Sequence, residues 1–193
     1  MARARRKSNG RQNRQSRRTR QARQGRSAAR SARQDAIAIL KADHRQVEGW
    51  FKQFEGTESK QRKGTLAGKI CEALKVHTTI EEELFYPAFL QATEDKEIHH
   101  EAEVEHNGAK KLIAEIEDSN PDDEYYDAKV TVLREMIKHH VKEEEKPGGM
   151  FAEARRSDMD LEALGEQLRA RKQELANGEN RWERVAELIQ PRV

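Results

Sequence analysis

The sequence predicts an all-α protein: an antiparallel four-helix bundle with a disordered basic N-terminal arm and additional C-terminal helices. Three observations predict it. After residue 34 the chain is rich in Leu, Ala, Glu, Lys and Arg, the bias of long helices. Apolar residues there recur in steps of three and four, the period of a helix with one buried face. A helix-length unit bearing one inward histidine, followed by a unit bearing His-x-x-x-Glu, is also written twice. His44 precedes His77 and Glu81, and His106 precedes His140 and Glu144, at separations of 62, 63 and 63 residues.

Residues 1–34 hold thirteen of the 37 Lys and Arg, no acid, and no Val, Ile, Leu or aromatic residue. They lack the apolar surface needed to offset backbone ordering, which predicts a disordered arm. Such an arm suits salt-sensitive, sequence-blind contact with nucleic acid, because no aromatic ring is present to stack on bases. A solubilising tail and an organelle-targeting segment are competing readings of the same composition. The remaining residues carry 24 basic against 35 acidic groups, so the total of +2 averages two unlike pieces. A single cysteine, Cys71, excludes a disulfide framework and fits a reducing compartment, so a cytoplasmic location is expected. No stretch approaches the roughly 18 apolar residues of a membrane span, and no apolar core follows the basic N-terminus as in a signal peptide.

The first helix is predicted from Asp35, with Ile37, Leu40, His44, Val47, Phe51 and Phe54 inward. Gly56-Thr57-Glu58-Ser59 reads as a turn and helix start. The second inward stripe is Leu66, Ile70, Ala73, His77, Glu81, Leu84 and Ala88, with Pro87 kinking or ending the helix near Tyr86. A third helix begins near Asp95, with Ile98, Ala102, His106, Ala109, Ile113 and Ile116 inward. Asn120-Pro121-Asp122-Asp123 reads as cap, first-turn proline and first-turn acids of a fourth helix. That helix aligns Tyr126, Val130, Leu133, Ile137, His140 and Glu144, and Pro147-Gly148-Gly149 closes it. Residues 158–176 form a further helix with Leu161, Leu164, Leu168 and Leu175 on one side. Asn177-Gly178 stops it, and a short last helix carries Trp182, Val185 and Ile189. The expected parts are therefore an arm over 1–34, a bundle over 35–154 and a helical extension over 155–193.

The polar members of the inward stripes carry the functional reading. One buried histidine is ordinary, but four on four helices with two buried carboxylates is hard to explain as packing. A His at i and a Glu at i+4 lie about 40° apart around a helix and one turn along it, so both face the same space. Four imidazoles and two carboxylates, without sulfur, suit a carboxylate-bridged pair of non-haem iron ions, with manganese and zinc as alternatives. Six donors for two ions leave open positions for an oxo or hydroxo bridge, dioxygen, nitric oxide or peroxide. A ferritin-like Glu-x-x-His pattern is met by Glu103 with His106 and by Glu97 with His100, but only on the third helix. Glu82, Glu83, Glu143 and Glu145 are expected to face outward, and His139 to be exposed or to sit behind a ligand as its supporting group. His99 is read as a surface residue or a lining of the cavity mouth. Cys71, Trp50 and Tyr86 are read chiefly as packing.

These segments, above all His77-TTIEEELFYP and His140-VKEEE, resemble a hemerythrin-like (HHE cation-binding) domain from about Asp35 to Ala154. The resemblance implies that His44, His77, His106 and His140 are terminal iron ligands and that Glu81 and Glu144 bridge. Oxygen carriers of the family have a second histidine four residues from that on the third helix, where Ala102 and Lys110 stand here. Their fourth-helix acid is an aspartate at i+5, where this chain has a glutamate at i+4. Both departures are more similar to the bacterial iron-binding, stress-linked or sensory branch, which implies binding or sensing, with peroxide or nitric oxide turnover as a further option. The alternative reading is a nucleic-acid-associated protein acting through its arm, with the metal bundle as a structural or regulatory module.

Overall fold

The computed structural model describes residues 34–93 and 95–189, with side chains as far as residue 178. The expectation of a disordered arm therefore lies outside the described residues. The order is α1 (Ala36–Glu55), α2 (Lys60–Ile80), a π-helical turn (Glu81–Phe85), α3 (Tyr86–Thr93), α4 (Lys96–Glu117), α5 (Tyr126–Glu145), α6 (Met150–Arg156) and α7 (Leu161–Ile189). No strand occurs among the described residues.

Short polar side chains start three of the bundle helices. Asp35, Ser59 and Asp95 accept hydrogen bonds from the backbone N–H groups of Ala38, Arg62 and Ile98, filling donors that a helix start leaves open. The fourth bundle helix starts later than its sequence suggests. The Asn120 side chain accepts from the Asp122 N–H and Asp123 accepts from the Asn120 N–H, so both cap residues close a turn on each other. Pro121 sits in that turn, tight against Gly64 of α2, and α5 begins only at Tyr126.

The apolar core is divided. One cluster gathers Ile37 and Leu40 of α1, Ile80, Phe85, Tyr86, Phe89 and Ala102 with Met150 and Phe151. The other gathers Val47, Phe51 and Phe54 with Leu66, Ile70, Leu74, Ala109, Ile113, Val130 and Leu133. His44, His77 and His106 fall between these groups along α1, α2 and α4, and His140 falls between the second group on α5 and Met150 and Phe151 of α6. A buried polar layer thus crosses the middle of the bundle.

Two elements differ from their sequence expectations, and a third goes beyond its own. Ahead of Pro87 the regular second helix gives way after Ile80 to a π turn of five residues, in which the Tyr86 N–H reaches back to the Glu81 carbonyl, and α-helix resumes at Tyr86. The inward register then advances by one residue, so Phe85, Tyr86 and Phe89 are buried where Leu84 and Ala88 were expected. The Pro147-Gly148-Gly149 break closes α5 as expected and also turns the chain sharply back. Gly148 adopts φ 77°, and Gly149 passes so close to the Glu143 and Glu144 carbonyls that a Cβ would lie 2.2 and 2.9 Å from them. This tight return sends α6 back onto the bundle with Met150, Phe151 and Ala154 buried. Finally, α7 runs through Asn177-Gly178 without a stop. One glycine costs a helix only about 1 kcal/mol, too little to end one whose Leu164 and Leu168 are already anchored.

Candidate metal centre

The structure brings all six sequence-predicted site residues together. His44 (α1), His77 (α2), His106 (α4), His140 (α5), Glu81 and Glu144 are all buried. The Nε2 atoms form two close pairs, His44 with His77 at 3.0 Å and His106 with His140 at 3.2 Å. Glu81 Oε2 lies 3.2 Å from His77 Nε2 and 3.4 Å from His106 Nε2. Glu144 Oε2 lies 3.4 Å from His44 Nε2 and 3.6 Å from His140 Nε2. Each carboxylate therefore touches one histidine of each pair. Two donor groups of metal-binding size result, His44–His77–Glu81 and Glu81–His106–His140, with Glu81 common to both.

The outer nitrogens explain the orientation of the inner ones. Each Nδ1 meets a carboxylate: His44 with Glu145 at 2.9 Å, His77 with Asp43 at 3.4 Å, His106 with Glu82 at 3.0 Å and His140 with Glu105 at 2.7 Å. An Nδ1–H donated to a carboxylate leaves the Nε2 lone pair pointing inward, the tautomer an ion requires. Each carboxylate is held in turn by a basic group. Lys172 holds Asp43, Lys110 holds Glu82, Arg45 and Lys41 hold Glu145, and His139 faces Glu105.

These partners correct the expectation for two of the acids. Glu82 and Glu145 turn toward the inward histidines, whereas Glu83 pairs with Arg171 and Glu143 with Lys146 as solvated acids. His139 is exposed and faces Glu105 behind His140, as its sequence position suggests. Sequence carried a signal for all four partners, since Asp43, Glu82, Glu105 and Glu145 each adjoin a site residue. Each nevertheless serves a histidine of another helix, which only the packing of the helices reveals. Tyr86 is both core and site: its ring is buried and its hydroxyl lies 3.2 Å from His106 Nε2. His99 packs edge-on against Tyr86, and His100 is exposed. Glu103 is exposed too, leaving the ferritin-like pattern without a buried carboxylate.

Electrostatics shows how poorly this layer is satisfied by itself. Both oxygens of Glu81 and both of Glu144 are buried without a hydrogen-bond partner. Burial, with the Glu81 charge beside it, pushes the Glu144 carboxyl up to about 8. Burial would also raise Glu81, but the charge of His77 and contacts with His106 and His77 outweigh it and hold the group low. Burial likewise opposes charge on His77, yet Glu81 and Asp43 lift it to about 10. His44 is driven down to about 4, chiefly by burial. Two unpartnered carboxylates among four inward imidazole nitrogens form an oxygen and nitrogen donor set that divalent or trivalent cations satisfy. The residues fit the ions that the sequence pattern implies.

The cage is nearly filled. A cavity of about 10 Å³ lies against it, lined by all four histidines with Val47, Leu74, Ile137 and Val141. A larger cavity of about 300 Å³ opens between α1 and α5, and His44, Ile137 and Val141 line both. Arg45, Arg134, Lys138 and Lys142 border its outer side. Cys71 lies apart in the second apolar cluster, where burial raises its thiol to about 11 and keeps it protonated.

A family model described as the Hemerythrin HHE cation binding domain matches residues 35–147. No curated protein matches the chain. Among solved structures, a crystal structure of a Hemerythrin HHE cation binding domain-containing protein from Mycobacterium kansasii is similar in fold. Its TM-score is 0.62 at 23% identity, over 75% of this chain and 89% of that one. No helix among the described residues is long and apolar enough to cross a membrane.

Proposed function

This chain belongs to the hemerythrin HHE cation-binding domain family, and on that premise we propose that its polar layer holds two non-haem metal ions, iron before manganese or zinc. In this reading His44 and His77 would hold one ion and His106 and His140 the other, with Glu81 and Glu144 as the carboxylate donors between the two histidine pairs. The observation that carries it is the pair of buried carboxylates with no partner but the facing histidines. A charge so placed costs several kcal/mol unless a cation neutralises it. Bound iron would supply Lewis acidity and electron transfer. The protein's part is to orient the imidazoles through their Nδ1 partners, and to restrict access through the narrow space beside Ile137 and Val141.

The loaded site binds or reacts with a small ligand such as dioxygen, nitric oxide or peroxide, in sensing, stress response or iron handling. Six protein donors for two ions leave coordination positions open, and only a narrow space lies beside the cage, which favours a small ligand. Metal analysis of the purified protein tests this, together with absorption spectra before and after peroxide. About two irons per chain, with a visible band that changes on adding peroxide, is the expected result. Protein that binds no transition metal under anaerobic reconstitution would refute it.

A further inference from the structure

Helix α7 lies beyond the residues that the family match covers, yet it reaches the cage. Leu164 and Leu168 bury themselves in the first apolar cluster and fix its course. Two consecutive cations then pair with acids, Arg171 at the surface and Lys172 beside the cage. Arg171 grips Glu83 through Nε at 2.7 Å and Nη2 at 3.1 Å, on the π turn two residues past Glu81. Lys172 Nζ contacts both oxygens of Asp43, with Oδ2 at 2.6 Å. That same Oδ2 faces His77 Nδ1.

We propose that Lys172 is a positioning residue of the metal centre: it holds the Asp43 carboxylate against His77 Nδ1 and so makes the C-terminal helix part of the site. The inference rests on the metal-binding reading above. The other three carboxylates behind the cage are held from within the bundle, by Lys110, by Arg45 and Lys41, and by His139. Of these four carboxylates, Asp43 alone is held from the extension. It is also the carboxylate whose own grip on its histidine is longest, 3.4 Å against 2.7 to 3.0 Å for the other three. A short aspartate at that distance does not fix its own direction. Without Lys172, water competes for both oxygens, and His77 loses the acceptor that sets its tautomer.

Ferrous iron binding by the full-length chain, measured anaerobically by competition with a chromophoric chelator, tests this. Lys172→Met, which keeps the length of the side chain, weakens binding about 10-fold, the lower end of what losing an outer partner of a ligand histidine costs. Lys172→Arg restores binding to near the wild-type value. Asp43→Asn weakens it as well, and adding Lys172→Met to Asp43→Asn costs nothing further, because the lysine acts through the aspartate. The metal-free Lys172→Met protein melts at the wild-type temperature, since Leu164 and Leu168 still hold the helix. A purely structural lysine would instead shift that melting temperature. Unchanged or tighter iron binding in Lys172→Met, or full additivity with Asp43→Asn, would overturn the inference. If wild-type protein takes up no iron, the earlier reading falls and this one with it. If wild type binds iron and Lys172→Met is indifferent, this one falls alone.

Discussion

Glu144 has no protein partner except the two imidazoles it separates, and its burial is a standing cost to the metal-free fold. Glu144→Leu should therefore raise the melting temperature of the chelated protein, by an amount equivalent to about 1–4 kcal/mol, while lowering metal occupancy. Calorimetry on the metal-free variant checks this, and a lower melting point would show that the carboxylate is already satisfied. The same residue sets a pH dependence. With its carboxyl raised to about 8, the native metal-free protein keeps a proton that the unfolded chain has released above about 4.5. That stabilisation is complete below about 4.5 and disappears as pH rises through 8. His77, raised to about 10, is likewise protonated in the empty cage at pH 7. An ion must displace these protons, so metal binding should release protons at pH 7 and tighten as pH increases. Titration calorimetry in buffers of different ionisation enthalpy measures the release. An apparent heat independent of buffer would contradict it.

Much of the site was legible along single helices because His77 with Glu81 and His140 with Glu144 recur at the spacing of one helical turn. What remained hidden depended on irregular backbone. The π turn at Glu81–Phe85 adds one residue to the coil, which no period of three and four can announce, and it brings Tyr86 rather than Leu84 into the core. The return of α6 depends on Gly149 lying against two carbonyls, a close approach that composition alone does not reveal. Gly149→Ala should cost about 1–3 kcal/mol by overpacking and lift Phe151 off the His44 ring, which it stacks against at 5.8 Å. Denaturant unfolding reads the loss, and an unchanged midpoint would mean the turn has room that the contacts deny. On α5, Val141 belongs to the wall between the cage and the outer cavity. Val141→Ala should speed both binding and release of azide at the loaded centre severalfold and leave its affinity nearly unchanged, because a wall alters the path and not the end states. Stopped-flow absorption distinguishes this from a change in affinity alone.

At the scale of the described fold, the polar layer divides what would otherwise be one apolar core. Ile37 to Leu40 and Val47 to Phe54 pack on opposite sides of His44, α2 and α4 repeat the arrangement around His77 and His106, and beyond His140 the far side is filled by Met150 and Phe151 of α6. The sequence showed this as a histidine within each apolar stripe, but not that the stripes align at one level, which needs the antiparallel packing itself. Cohesion across the layer comes from the outer pairs, such as Glu145 with His44 and Glu105 with His140, and from whatever neutralises the two central carboxylates. An ion bound at 1,000 times its dissociation constant adds about 4 kcal/mol to the native state. Chelation should therefore lower the melting temperature, and its effect should be concentrated at the middle of the bundle. Amide exchange checks the location: protection around His44, His77, His106 and His140 should fall more than protection at Ile70 or Ile113, deep in the second cluster. A uniform loss would mean the metal stabilises the fold only globally, with no locally weakened layer beneath it.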